Sequence, residues 1–195
     1  MKHVRWSLIA LACLLWAGLC PAQSVDAFIG FNTLITKAGP QGPPKLGGGF
    51  YPSVGGDLIF LPHGLGVGAQ VAWRASQQNY FGVGARPVFY TFNAVWNPVA
   101  PGAVFRPDFA VGIGADNLRL YQGIITCGNF TGCTNHTSNN HFVLHAGAGV
   151  KVYFSEHLFL RPSVDYYNIK NNLEYGVPAA WQVGLALGYT LGPSS

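Results

Sequence analysis

Two cysteines, Cys127 and Cys133, stand six residues apart, with His136 and His141 close behind them. Thiolate and imidazole together could hold zinc, but the spacing differs from the C-x2–4-C pairs of structural zinc sites. In an oxidising compartment the same two cysteines form a disulfide. It would close a short loop and stabilise by roughly 2–3 kcal/mol through the entropy of the unfolded chain. The disulfide is the reading adopted, and no metal ligands are assigned. Asn129-Phe130-Thr131 and Asn135-His136-Thr137 match glycosylation sequons but read as polar loop residues.

Hydrolytic chemistry finds few candidates. His157 follows Glu156 in a tight connection, and His145 lies in the middle of an alternating segment. No serine is placed beside a histidine as an activated nucleophile. The chain carries no phosphate loop, no H-E-x-x-H and no G-x-S-x-G. No catalytic residue and no cofactor site is assigned.

The remaining chemistry lies in the charges. Beyond residue 22 there are nine Lys or Arg and seven Asp or Glu. Arg74, Arg106, Lys151 and Arg161 share alternating segments with Asp26, Asp57, Asp108, Asp116 and Asp165. These nine are expected on an inner face, where opposed charges must pair, because unpaired buried charge is costly. Arg106 and Arg161 are expected at similar heights, as a basic layer paired with Asp108 and Asp165. The other seven charges (Lys37, Lys45, Arg86, Arg119, Glu156, Lys170 and Glu174) are expected in loops, turns or strand ends.

The elements that would position these residues follow from period-two alternation. Trp181, Val183, Leu185, Leu187, Tyr189 and Leu191 alternate with Gln182, Gly184, Ala186, Gly188 and Thr190. Eleven residues suit a tilted strand crossing a bilayer. Similar alternation runs through 65–74, 88–97, 105–116, 142–154 and 158–167, and less regularly through 25–36 and 49–61. That predicts eight strands. Long connections at 37–47, 76–86, 118–140 and 169–179 alternate with short ones at 61–64, 98–103 and 155–157. Trp73, Tyr166 and Trp181 fall at one rim, and Trp96 and Tyr189 at the other, as an aromatic girdle requires.

The composition agrees. Only 9% of the 195 residues are charged and 49% are hydrophobic, against about 25% charged in a soluble domain. That excludes disorder, and without a basic run it excludes nucleic-acid binding. Residues 1–22 read as an export signal, with Lys2 and Arg5 before an apolar stretch and Ala22 at the cleavage point. Residues 23–195 form the second unit. They contain no apolar run long enough for a membrane helix, so the remaining way to satisfy backbone groups in lipid is a closed barrel.

On the signal segment, the strand Trp181–Leu191, and the run Leu160-Arg161-Pro162-Ser163-Val164-Asp165-Tyr166, echoed by Arg106-Pro107-Asp108, the chain resembles the OmpA/OmpX-like small outer-membrane β-barrels. The resemblance implies an all-β, eight-stranded antiparallel up-and-down barrel in a bacterial outer membrane. It implies a non-enzymatic monomer contributing to envelope integrity and to surface interaction through its outer loops. The partner expected is outer-membrane lipid, with loop Lys and Arg facing lipopolysaccharide phosphates. The alternatives are a narrow channel for small solutes, a lipid A-modifying enzyme, and a soluble lipocalin-type barrel. The last requires the apolar face inward.

Overall fold

The computed structural model describes residues 24–36, 46–99, 102–128, 132–171 and 179–192. The segment 1–22 and the side chains of Lys37, Lys45 and Glu174 lie outside these residues.

Among the described residues alternation becomes nine strands: β1 (Ser24–Thr36), β2 (Tyr51–Leu61), β3 (Leu65–Trp73), β4 (Gln78–Tyr80), β5 (Val83–Trp96), β6 (Phe105–Gly128), β7 (Gly132–Tyr153), β8 (Leu158–Ile169) and β9 (Ala179–Leu191). All pairings are antiparallel. β3 pairs with β5, passing over β4, and β1 pairs with β9. These two ladders close eight strands into a barrel with no open edge, the condition for a sheet in lipid. β4 pairs only with the start of β5, as a small appended hairpin.

Side chains sort by parity as the alternation requires. Ile29, Phe92 and Val111 point outward and are about two-thirds exposed (65%, 69% and 66%). Asp26, Asp57, Gln70, Asp108, Lys151 and Arg161 point inward and are buried. The parity of β1 and β2, poorly marked in the sequence, follows from their ladders: Asp26 is the partner of Asp57. The lipocalin arrangement is therefore reversed here, with apolar residues outside and charges inside.

One end carries short turns. Pro62–Gly64 forms a single 3-10 turn between β2 and β3. His63 and Gly64 have φ of 63° and 75°. A Cβ on Gly64 would meet the Asn97 carbonyl, and Asn97 N–H donates to Gly64 O at 2.8 Å. The glycine thus lets two turns close against each other. Between β7 and β8 the Ser155 hydroxyl accepts from Leu158 N–H at 3.0 Å.

At the opposite end the sequence expectation needs correction. The connection expected at 118–140 is largely strand. β6 and β7 continue in register to Tyr121↔His136, and a register shift precedes Thr126↔Thr134. Backbone pairing does not stop where the apolar alternation stops, because Asn117 and Arg119 pair as readily as Val111 and Ile113. The connection at 76–86 likewise contains β4 and the first residues of β5, turning at Phe81 and Gly82 with φ of 50° and 82°. Consequently Arg86 and Arg119 are strand residues, on the outward parity.

Candidate functional site

The lumen is filled in layers. At the short-turn end, Arg106 lies over the Tyr153 ring, 4.2 Å from its centroid, and its Nε donates to Ala103 O at 3.2 Å. Tyr153 Oη and Thr190 Oγ1 are 2.8 Å apart. Further in, Lys151 Nζ donates to Asp26 Oδ2 at 2.6 Å and to Asp57 Oδ2 at 3.1 Å. Arg161 donates to Asp108 through Nε at 2.8 Å, and Nη2 meets the same oxygen. The Arg161 guanidinium also covers the Phe28 ring at 4.8 Å.

Arg106 and Arg161 therefore do not form one basic layer paired with Asp108 and Asp165. Arg161 takes Asp108, while Arg106 packs on an aromatic ring nearer the mouth. Asp165 instead faces His145, with Nε2 3.1 Å from Oδ1, and His145 Nδ1 is 2.7 Å from Asn93 Oδ1. The His145 ring stacks on Tyr167 at 4.9 Å. Ser163 is bonded to Asp165 rather than to the imidazole, at 3.4 Å. This is a buried polar network, with the histidine clamped between two side chains.

Towards the long-loop end the lumen turns apolar. Leu34, Leu46, Tyr51, Phe89, Leu118 and Tyr167 belong to one buried cluster, with Phe89 and Tyr167 centroids 4.9 Å apart. Sequence reasoning missed this cap. Its signal was present as apolar residues on the inner parity at the far ends of strands, namely Leu34, Phe89, Leu118, Val143 and Ile169. Arg74 lies beside it, donating from Nη1 to Gly48 O at 2.8 Å and to Tyr51 Oη at 3.4 Å.

The backbone register sets Cys127 opposite Cys133 at the far end of the β6–β7 hairpin. Their side chains lie outside the described residues. His136 packs on Tyr121 at 5.4 Å. It falls on the outward parity of β7, whereas His141 falls on the inward parity and is buried. Two imidazoles on opposite faces of a strand cannot share one metal ion with those cysteines.

The rims carry the aromatics. Tyr166 and Trp181 touch at 4.8 Å between centroids, and Trp73 is the register partner of Val88. At the other rim, Trp96 Nε1 donates to His63 O at 3.1 Å, and Tyr189 stacks on His157 at 5.4 Å. Between the rims the outward surface is apolar.

A closed barrel with an apolar belt, aromatic rims and a charged lumen is the form a sheet takes in a bilayer. The sequence profile of the Outer membrane protein beta-barrel domain family matches residues 12–192. The chain belongs to that family. It is an outer-membrane β-barrel protein, and its belt is the lipid contact. No match was found among curated proteins. Among solved structures, the barrel is similar to the outer membrane protein OprG from Pseudomonas aeruginosa. The two share 14% identity and a TM-score of 0.58, over 89% of this chain and 98% of that one. It is also similar to Neisserial surface protein A (10% identity, TM-score 0.57, 88% of this chain and 97% of the other). A third is Ail, the attachment invasion locus protein of Yersinia pestis, solved in complex with the heparin analogue sucrose octasulfate. It shares 12% identity and a TM-score of 0.51, over 88% of this chain and all of that one. At such identities the likeness is one of fold.

Long loops of outer-membrane barrels face outward and short turns face the periplasm, so the rim of Trp73, Tyr166 and Trp181 at the long-loop end is the outer one. Just beyond it the barrel carries a second charged feature. Arg86 on β5 and Arg119 on β6 are register partners. Together with Trp73 and Val88 they line a cavity of about 170 Å³ on the outside of the barrel.

Proposed function

We propose that this protein is a non-enzymatic, closed outer-membrane barrel that braces the envelope and meets its surroundings through the long-loop end. The observation that carries this reading is Lys151 bonded to both Asp26 and Asp57 across the interior. Its layer is followed by the Arg161–Asp108 pair and then by the aromatic cap. An eight-stranded barrel is only wide enough for side chains to fill, and these layers supply the filling. The clamped His145 supports the non-enzymatic reading, since its ring nitrogens both face side chains that would have to move before any substrate could use them.

Surface interaction is supported by the β6–β7 hairpin, which lifts the chain beyond the rim, and by Arg119 on that hairpin with Arg86 of β5 opposite it. One fold relative was solved with a sulfated sugar, so polyanions are the first class of surface partner to test.

The reading is tested by refolding the full chain into planar bilayers and recording conductance. A closed barrel gives no stepwise currents. Regular unitary currents would overturn it in favour of a narrow channel. In parallel, a deletion strain should become sensitive to detergents with its lipid A acylation unchanged. Altered lipid A acylation would overturn the non-enzymatic reading.

A further inference from the structure

We propose that Arg86 and Arg119 form a binding site for a lipid-borne phosphate of the outer leaflet. The proposal deepens the lipid contact of the barrel and rests on its placement in the outer membrane, but not on whether the lumen is closed.

The two arginines are direct partners across the β5–β6 ladder, and both lie on the outward parity. Like charges directly opposite one another repel. Neither strand offers a carboxylate on that face: Asp108 and Asp116, the acids of β6, are on the inner parity, and β5 has none. An anion held between the two guanidinium groups would remove the repulsion.

Each guanidinium is tied to the protein through Nε. Arg86 Nε donates to Arg74 O at 2.7 Å, and Arg119 Nε donates to Asn117 Oδ1 at 3.1 Å. Asn117 is itself held, its Nδ2 donating to Asn140 Oδ1 at 2.7 Å. A tether at Nε orients the planar group and leaves its Nη edge for paired contact with phosphate oxygens. The cavity beside them, about 170 Å³, has room for several waters at roughly 30 Å³ each, and so for a tetrahedral oxyanion.

The floor of the cavity argues for a lipid rather than a soluble anion. Trp73 and Val88 form one rung of the β3–β5 ladder, and Trp73 is an aromatic of the outer rim. A strand rises about 3.3 Å per residue, which sets Arg86 roughly 7 Å along the chain beyond that rung. Lipid presents a phosphate at that height and an apolar body below it, so one molecule meets both arginines and the apolar floor. A soluble anion gains nothing from the floor.

The test uses the full chain refolded in an uncharged maltoside detergent. Diphosphoryl lipid A is added, and retained lipid is measured by native mass spectrometry. Wild type is expected to retain it. The double variant Arg86→Ala/Arg119→Ala should bind at least tenfold more weakly, and lipid A stripped of phosphate should not be retained. Arg86→Lys/Arg119→Lys keeps the charge but loses the paired contact, and should fall severalfold. Heat-dependent gel mobility reports folding of each variant, and if the alanine variant fails to fold, the lysine variant decides. Equal retention by wild type and the folded variants would overturn the proposal, as would equal retention of the dephosphorylated lipid. Binding of dextran sulfate without retention of lipid A would also overturn it, and would assign the pair to soluble polyanions. Conductance reads the lumen separately, because both side chains lie outside the barrel wall.

Discussion

Lys151 on β7 reaches Asp57 on β2 at 3.1 Å. In the closed order of eight strands, β2 lies four strands from β7 in either direction, so this contact spans the barrel. The same ammonium holds Asp26 at 2.6 Å. Both carboxylates, and the lysine itself, are buried.

Removing the lysine leaves two buried carboxylates facing each other. Losing one side of a buried pair costs about 3–5 kcal/mol. Lys151→Met should therefore lower the urea midpoint of the refolded barrel. Adding Asp26→Asn and Asp57→Asn to the same variant should recover most of the loss. A triple variant as weak as the single one would show that the shape of Lys151 matters rather than its charge.

Gly149 guards the neighbouring pair. A Cβ at this position would lie 2.9 Å from Asp108 Oδ1 and 3.0 Å from Pro162 O. Gly149→Ala must push the carboxylate off Arg161 or shift β8. Overpacking of this kind costs about 1–3 kcal/mol. The expected result is a lower urea midpoint with the same unboiled gel mobility.

The lipid face should be intolerant of charge in a depth-dependent way. Ile113 is outward and more than half exposed, well inside the rims. Ile113→Arg should cost about 2–4 kcal/mol, whereas a cation at Asn117, near the outer rim, should cost about 0–1 kcal/mol. Folding titrations into lipid vesicles measure both. Equal penalties would place the membrane boundary elsewhere.

Cys127 and Cys133 are opposed in the β6–β7 register. Directly opposed strand residues have Cα atoms about 4.5–5.5 Å apart, within the range a disulfide accepts. Protein purified from the envelope without reductant should take no iodoacetamide label at these positions, and two labels after reduction. Labelling before reduction would remove the disulfide.

The eight strands of the barrel and the faces of β3, β5, β6, β7, β8 and β9 were legible because alternation is a property of consecutive residues, whereas β4, three residues long, was not. Trp181 to Leu191 declares its outward face without reference to any other strand. The reach of β6 and β7 beyond the rim was not legible in the same way, since the apolar pattern marks only the stretch that meets lipid. Backbone pairing continues past it, and that continuation moved Arg119 from a loop to a strand and set it opposite Arg86.

The sequence by itself determined that Arg74, Arg106, Asp108, Asp116, Lys151, Arg161 and Asp165 face the lumen, because a one-residue change of register turns every side chain to the other face, whereas Asp26 and Asp57 were placed there by the β1–β2 ladder. Their pairing across the lumen was decided by tertiary structure alone. Asp108 lies two residues from Arg106 along β6, yet it pairs with Arg161, 53 residues away. Neighbours across a barrel depend on strand tilt, stagger and the closing ladders β3–β5 and β1–β9, none of which a single strand encodes. The same closure brought Leu46 from a connection into the apolar cap and left His145 between Asn93 and Asp165.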